Sequence, residues 1–280
     1  EHSDPWADTR RDRTVIVDGL LLIKAILLGI IEGMTEFLPV SSTGHLIIFG
    51  DLLGFTGDSA KTFEIFIQLG SILGVLWLYR HKVIGVARTL DQPASQRFVL
   101  NLLIAFMPAA VVGLLFHGAI KEYLFNPTSV AGALVVGGIL ILIIERRRTP
   151  PRIHTADDLR PLDALKVGLA QCCALYPGVS RSGATIMGGL LAGLSRTAAT
   201  EFSFFLAIPT MFAATLYELY KSRDLLQASD VPVFAAGFLA AFLTAMAVVK
   251  LFLAYVARHD FTAFAYYRIG FGILVLAYFW

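Results

Sequence analysis

Apolar runs of bilayer length are the feature that most constrains the fold of this chain. The clearest of them cover residues 98–116, 130–144, 233–252 and 261–280. Each approaches the roughly 20 apolar residues that an α-helix needs to cross a bilayer. The composition agrees, because 56% of the residues are hydrophobic, only 16% are charged and the mean hydropathy is +0.70. The sequence therefore predicts an all-α polytopic membrane protein whose surroundings are membrane lipids.

Basic residues are concentrated in two short connections, although the net charge of +2 is too small to indicate a nucleic-acid partner. The basic residues of these connections are Arg80, His81, Lys82, Arg88 and Arg97, then Arg146, Arg147, Arg148, Arg152 and Arg160. The positive-inside rule predicts that both connections are cytoplasmic. Residues 1–14 are polar and lack the apolar core of a signal peptide, so we expect an N-terminal tail there.

The sequence repeats itself at an offset of 139 positions. This shift aligns Ser41-Ser42-Thr43-Gly44 with Ser180-Arg181-Ser182-Gly183, and it also aligns Gly50 with Gly189, Gly54 with Gly193 and Phe63 with Phe202. We therefore predict a duplicated unit. Its two copies are repeat 1 over 15–145 and repeat 2 over 162–280, separated by a cytoplasmic basic loop over 146–161.

Each repeat begins with two apolar arms that are joined by a polar, proline-containing break. The second arms, 39–53 and 182–194, are too short for a straight crossing, which favours re-entrant hairpins at about 15–54 and 162–195. Three longer apolar helices follow each hairpin: 61–79, 98–116 and 130–144, then 201–220, 233–252 and 261–280. A hairpin plus three crossings inverts the second repeat, so the hairpin tips should meet near the midplane. If every arm crosses fully, the chain has ten spans instead.

Glu32 and Glu36 are four residues apart, which brings both carboxylates onto one helical face. Charged side chains are costly inside a bilayer and usually mark a functional site. Two neighbouring carboxylates repel each other unless one is protonated or a cation lies between them. We predict a divalent metal site, for Mg²⁺ or Ca²⁺, on this pair. The alternative is an ordinary pair of acids at the water interface.

Hydroxyl groups and a histidine follow Pro39, which suits the first turn of a helix. Ser41, Ser42 and Thr43 would place hydroxyls and free N–H groups at a helix start, where anions bind. His45 is placed to hydrogen-bond the hydroxyl of Ser41 or Ser42, as a base would activate a nucleophile. The alternative is a helix cap beside a buried structural histidine.

The second break, residues 177–185, places an arginine in a turn rich in glycine and hydroxyl groups. The guanidinium of Arg181 is suited to bind two phosphate oxygens, and Ser180, Ser182 and Thr185 can donate further hydrogen bonds. We interpret this turn as a phosphate-binding site. The alternative is an arginine that caps the end of a facing helix.

The stretches 32–45 and 177–185 closely resemble the signature motifs of the undecaprenyl pyrophosphate phosphatase family, also called the bacitracin-resistance protein family. The resemblance covers essentially all of residues 16–280. It implies hydrolysis of undecaprenyl pyrophosphate to the monophosphate and inorganic phosphate, with a divalent cation. The reaction would take place in the inner membrane, in a pocket that opens to the periplasm. The resemblance also implies recycling of the cell-wall carrier lipid and bacitracin resistance. The motif residues of the family fall on Glu32, Glu36, Ser41, Ser42, Thr43, His45, Ser180, Arg181 and Thr185.

Our mechanistic hypothesis is that Ser42 attacks the terminal phosphorus of the polyprenyl diphosphate, with His45 or Glu36 as base. Arg181 and the cation would stabilise charge on the phosphoryl oxygens. Direct attack by water stays open, as do a lipid flippase and a channel with paired hairpins. The sequence also leaves open whether two copies associate as a homodimer.

Overall fold

The computed structural model describes residues 19–124, 126–147, 149–222 and 230–279. The tail predicted at 1–14, the first residues of the predicted repeat 1 and Arg148 lie outside these ranges. The described residues fold into eleven α-helices, two short 3₁₀ helices and one isolated β-bridge between Ile153 and Leu194. The prediction of an all-α protein is confirmed.

The first six α-helices precede the basic loop, and the other five follow it. The first six are α1 (Gly19–Thr35), α2 (Ser42–Leu52), α3 (Asp58–Leu78), α4 (Arg80–Arg88), α5 (Pro93–Tyr123) and α6 (Pro127–Arg146). The others are α7 (Pro161–Cys172), α8 (Arg181–Leu191), α9 (Arg196–Ser222), α10 (Val231–Val256) and α11 (Thr262–Phe279). The 3₁₀ helices are Ala156–Asp158 and Cys173–Leu175.

Six of these helices, α3, α5, α6, α9, α10 and α11, are long and apolar enough to cross a bilayer. The chain is therefore a multi-pass membrane protein. Several helices extend beyond the predicted apolar runs; α5, for example, covers Pro93–Tyr123 rather than 98–116. Hydropathy marks only the lipid-facing part of such a helix, whereas the backbone hydrogen bonds continue into its polar ends. The short α4 inside the first basic connection was missed for the same reason.

Prolines begin several of these helices, and leucines lie on their outer surfaces. Prolines occupy the first turns of α5, α6, α7 and α10, where a missing N–H costs nothing and the fixed φ suits the helix. Leucines on outer surfaces, such as Leu115, Leu191 and Leu251, leave most of their area exposed. Lipid tails solvate such surfaces, because they are as apolar as leucine itself.

Helices from the first half of the chain pack against helices from the second half. α1 packs on α10, α7 packs on α5, α6 packs on α11 and α3 contacts α9. Glycines allow the closest crossings. A Cβ atom on Gly29 of α1 would lie 2.2 Å from the carbonyl oxygen of Gly237, and one on Gly168 of α7 would lie 2.6 Å from that of Ala105. Gly29 and Gly168 are 139 positions apart, so repeated positions make similar crossings in the two halves.

The turns between α1 and α2 and between α7 and α8 meet in the protein interior. The Ser182 hydroxyl at the start of α8 donates to the Leu38 carbonyl in the first turn at 2.6 Å. We call residues 36–41 the first tip and residues 176–180 the second tip. Pro39 lies in the first tip itself, because α2 begins only at Ser42. The prediction that Pro39 opens a helix is wrong in that respect.

Polar contacts join the connections at the end of the molecule where the basic residues lie. Arg196 at the start of α9 forms an ion pair with Glu145 at the end of α6, at 2.7 Å. Glu145 also accepts a hydrogen bond from the backbone N–H of Phe261 at 3.1 Å. Arg152 pairs with Asp163. The contacts of Glu145 join α6, α9 and the start of α11 at this end, and the Arg152–Asp163 pair holds the basic loop against α7.

Candidate active site

Glu36, Ser42 and Arg181 come together where the two tips meet. The Ser42 hydroxyl donates a 2.5 Å hydrogen bond to Oε2 of Glu36. The other carboxylate oxygen of Glu36, Oε1, lies 3.5 Å from Nη2 of Arg181. Both charged side chains are almost wholly buried, which strengthens their electrostatic interaction. The structure therefore brings residues 145 positions apart in sequence into one polar cluster.

Strained backbone conformations position both halves of this cluster. Ser41, just before α2, has φ 70°, and Ser180, just before α8, has φ 74°. A positive φ is uncommon for residues other than glycine and is often found at functional sites. The two serines are 139 positions apart, and each one turns the chain sharply into a helix start. The free N–H groups and positive dipole end of such a helix favour bound anions.

Hydroxyl groups on α8 and α9 hold Arg181 in place. Its Nη1 donates to the Ser203 carbonyl at 3.0 Å. The Thr185 hydroxyl lies 2.6 Å from the Ser203 hydroxyl and also bonds the Arg181 carbonyl. The Nε atom of Arg181 has no hydrogen-bond partner among the described residues. The arginine is thus anchored at one edge, and its buried Nε donor stays unused.

Three of the predicted phosphate donors have partners within the protein. Ser180 accepts a hydrogen bond from the Gly183 N–H and so caps α8, and its hydroxyl lies 3.0 Å from that of Ser182. Ser182 in turn bonds the first tip, while Thr185 supports Arg181 through Ser203. These hydroxyls therefore build the second tip. Ser41 is also buried, and its carbonyl oxygen is the atom that contacts the His45 ring.

Glu32 is the most isolated charged group of the site. Its side chain is 1% exposed, and its Oε1 has no hydrogen-bond partner among the described residues. Glu36 is one helical turn away, but both of its oxygens have partners. The described residues contain no cluster of three or more His, Cys, Asp or Glu side chains that could hold a metal alone. A buried carboxylate with a free oxygen still fits Mg²⁺ or Ca²⁺, since substrate phosphates commonly complete such sites.

His45 does not contact the hydroxyl of Ser41 or Ser42, contrary to our prediction. Its Nδ1 lies 2.8 Å from the Ser41 carbonyl oxygen, which can only accept, so Nδ1 carries the proton. In the neutral ring, Nε2 then accepts from the Tyr267 hydroxyl at 2.6 Å. The ring also stacks on Phe271, with centroids 4.1 Å apart. Both ring nitrogens of His45 therefore have partners, and the carboxylate that contacts the Ser42 hydroxyl is that of Glu36.

A cavity of about 630 Å³ extends from the site along the first half of α3. Glu32, Ser42 and Thr43 line it near the first tip. Its wall continues through α2 and α3 to residues near the ends of α5 and α9, including Gly50, Asp51, Phe55, Thr56, Lys61, Glu64, Gln68, Ile120 and Glu218. The lining is mostly apolar, with several polar groups. Such a cavity suits a ligand that has a charged head and a hydrocarbon tail.

Three residues that support the site were missed by sequence reasoning. Tyr267 and Ser203 gave no signal, because a tyrosine and a serine within apolar helices are ordinary. Arg268 did give a signal, since a charged residue inside an apolar run normally faces the protein interior. The structure buries it fully, with 1% of its surface exposed.

Sequence comparison places this site in a known family. The model of the family described as bacitracin resistance protein BacA matches residues 25–274, which include both tips and the polar cluster between them. The chain belongs to the bacitracin resistance protein family. The family resemblance given by the two motifs is thereby confirmed.

Close relatives within the bacitracin resistance protein family match over nearly the whole chain. The undecaprenyl-diphosphatase of Aromatoleum aromaticum is 60% identical over 258 residues, which are 92% of this chain and 94% of that protein. The undecaprenyl-diphosphatase of Dechloromonas aromatica is 59% identical, with 93% and 96% covered. That of Methylobacillus flagellatus is 57% identical, with 94% and 100% covered.

Proposed function

We propose that this chain is an integral membrane phosphatase that hydrolyses undecaprenyl pyrophosphate to undecaprenyl phosphate and inorganic phosphate. The hydrogen bond from Ser42 to Glu36, with Arg181 on the other oxygen of the same carboxylate, is the observation that carries this function. The three groups are a nucleophile, its base and a phosphate-binding cation. Membership of the family and relatives at 57–60% identity agree with this activity. The reaction recycles the carrier lipid of cell-wall synthesis and confers bacitracin resistance.

In the proposed mechanism the Ser42 oxygen attacks the terminal phosphorus, and Glu36 accepts the hydroxyl proton. The bond from this phosphorus to the bridging oxygen breaks, and undecaprenyl phosphate leaves with that oxygen. Glu36 passes the proton to the departing phosphate oxygen and so becomes a carboxylate again. Water then attacks the phosphoserine while Glu36 takes a proton from it, the bond from phosphorus to the Ser42 oxygen breaks, and Glu36 returns the proton to that oxygen as inorganic phosphate is released. Arg181 and the N–H groups at the start of α2 neutralise charge on the phosphoryl oxygens throughout. Direct attack by water would use the same groups, and a rapid quench that finds no phosphate on Ser42 would favour it.

Glu32 and Glu36 would hold the divalent cation, Mg²⁺ or Ca²⁺, and Glu32 has the free oxygen. When bound, the cation supplies positive charge that neutralises the diphosphate. Without it, two buried carboxylates would repel an anionic substrate. Thr43, which lines the cavity beside Ser42, is placed to contact the phosphate group.

We propose that the two halves of the chain form an inverted repeat of two re-entrant hairpins, each followed by three membrane-spanning helices. Repeat 1 would cover 15–145, repeat 2 would cover 162–280, and the basic loop 146–161 would separate them. The contact between the tips supports this architecture, because two short helical pairs that enter from opposite sides would meet at their tips. The matching crossings of Gly29 and Gly168 also support it.

We also propose that the cavity opens to the periplasm and that the membrane is the bacterial inner membrane. The cavity lies along the first half of α3, whereas the basic connection 80–97 follows the end of that helix. The positive-inside rule assigns the basic end to the cytoplasm. The contacts of Glu145, Arg196 and Phe261 close the molecule at that end.

Phosphate release from purified protein in detergent tests the proposed function. We expect wild type to release phosphate from undecaprenyl pyrophosphate, and Glu36→Ala and Arg181→Ala to lose at least about 100-fold in kcat. Lys250→Ala, which removes an exposed charge on α10, is the matched control and should retain full activity. Equal rates of phosphate release by all four proteins would refute the proposal that the chain is a hydrolase. Unchanged activity after exhaustive chelation would refute only the proposed role of the divalent cation.

A further inference from the structure

Arg268 is a buried cation whose recorded hydrogen bonds all go to the protein backbone. It lies near the start of α11 with 1% of its surface exposed. Its guanidinium donates to five carbonyl oxygens: Pro39 at 3.2 Å, Val179 at 2.9 Å, Gly178 at 3.0 Å, Ala133 at 3.2 Å and Leu134 at 3.3 Å. A buried charge is tolerated only when its donors are satisfied, and here the backbone satisfies them.

The five acceptors belong to three separate parts of the fold. Pro39 lies in the first tip, Gly178 and Val179 lie in the second tip, and Ala133 and Leu134 lie on α6. The nitrogen Nη1 alone spans both tips, because it donates to Pro39 and to Val179. A side chain with a single donor nitrogen could not reproduce this planar fork. Arg268 therefore ties the first tip to the second and ties both to α6.

Glycines make room for this guanidinium. A Cβ atom on Gly137 of α6 would lie 2.2 Å from Nη2 of Arg268, and one on Gly183 of α8 would lie 3.0 Å from Nη1. A methyl group on Gly137 would displace the guanidinium, whereas one on Gly183 would press on it more lightly. By contrast, a Cβ atom on Gly132, in the same helix as Gly137, would meet nothing within 4 Å.

We propose that Arg268 is a positioning residue for phosphoryl transfer, which holds the two tips in register so that Ser42 and Arg181 act on one phosphate. Pro39 lies three residues before Ser42, and Val179 lies two residues before Arg181. A shift of either tip relative to the other would separate the nucleophile from its phosphate-binding partner. Misplacement by about 1 Å can lower an enzymatic rate by about 100-fold. This role rests on the proposed phosphatase function.

The substitution Gly137→Ala tests the role without removing the arginine. We expect it to lower kcat at least about 10-fold while KM for the prenyl diphosphate changes by less than about threefold, because the substrate cavity lies elsewhere. Gly132→Ala is the matched control and should keep kcat within about twofold. Equal kcat values for both variants would overturn the proposal.

Arg268→Met and Arg268→Lys extend the test, with hydrogen–deuterium exchange as a readout that needs no activity. We expect Arg268→Met to speed amide exchange in both tips, 36–41 and 176–180, while α10 stays protected as in wild type. Arg268→Lys should restore part of the protection but little kcat. Unchanged exchange at either tip in Arg268→Met would contradict the proposal, even if wild type proved inactive on this substrate.

A double-mutant cycle separates positioning from general destabilisation. Because Arg268 acts through the placement of Arg181, we expect Arg268→Met to cost little further kcat in an Arg181→Lys background. Losses that multiply in the double variant would indicate an independent structural role and overturn the proposal. If the wild-type protein itself released no phosphate, the proposed phosphatase function would be refuted instead.

Discussion

The carboxylate of Glu36 contacts side chains from both halves of the chain. One carboxylate oxygen accepts a hydrogen bond from the Ser42 hydroxyl and the other faces Arg181, so a single side chain contacts both the proposed nucleophile and the proposed phosphate-binding group. His45 has no such contact, because the Ser41 carbonyl and the Tyr267 hydroxyl occupy its two nitrogens. These contacts support our proposal that Glu36, rather than His45, is the base, whereas His45 holds the backbone of the strained Ser41.

The different contacts of these two residues predict different mutant kinetics. We expect Glu36→Gln to lower kcat about 10²–10⁴-fold, the usual cost of losing a general base. His45→Asn keeps an N–H near the position of Nδ1 and can still donate to Ser41, so we expect a loss of less than about 10-fold. Steady-state phosphate release at saturating substrate measures both. A larger loss for His45→Asn than for Glu36→Gln would reverse the two roles.

Close helix crossings determine how the elements hold the tips in place. α1 crosses α10 at Gly29, and α7 crosses α5 at Gly168, each with a partner backbone carbonyl where a Cβ atom would lie. Helix association in membranes depends on such close packing, because lipid supplies no hydrophobic drive between helices. The two short helices that lead into the tips are therefore fixed by backbone contact along their length.

These crossings make a prediction about stability. We expect Gly29→Ala and Gly168→Ala each to lower the free energy of unfolding by about 1–3 kcal/mol, since the added methyl group forces the helices apart. Gly270→Ala in α11 meets nothing within 4 Å and should be neutral or slightly stabilising. Thermal unfolding in detergent measures all three. Midpoints for the two crossing variants at or above that of Gly270→Ala would show that the crossings are not tight.

The whole molecule differs between its two ends. The end with the basic connections is joined by the ion pair of Glu145 and Arg196 and by the Arg152–Asp163 pair. Toward the other end lies the 630 Å³ cavity that leads to Glu32 and Ser42. A substrate head group would therefore reach the site through the cavity end, which we propose faces the periplasm.

Thiol labelling in intact cells tests this sidedness. In a background with Cys172 and Cys173 replaced by alanine, Thr56→Cys introduces a thiol in the cavity wall and Arg88→Cys one in a basic connection. We expect a membrane-impermeant maleimide to label Thr56→Cys from outside and to inhibit phosphate release. Arg88→Cys should be labelled only after permeabilisation. The opposite pattern would place the cavity on the cytoplasmic side.

The sequence by itself determined the class of the protein and drew attention to most residues of the polar cluster. Long apolar runs can fold only as membrane helices, because lipid offers no partners for backbone polar groups. Charged and hydroxyl residues in the breaks of such runs are costly unless they are functional, so Glu32, Glu36, Ser42 and Arg181 stood out. These features are local, and local sequence is sufficient to reveal them.

Only the tertiary structure decided which of these groups touch. The contact of Glu36 with Arg181 joins residues 145 positions apart, and the separation of His45 from Ser42 depends on Tyr267 in the last helix. The sequence shows Arg268 as a charged residue within an apolar run, but it does not show which groups this arginine contacts. Its acceptors are backbone carbonyls, which any residue could supply. Hydrophobic periodicity sets the helices, whereas the meeting of two tips depends on packing between distant segments.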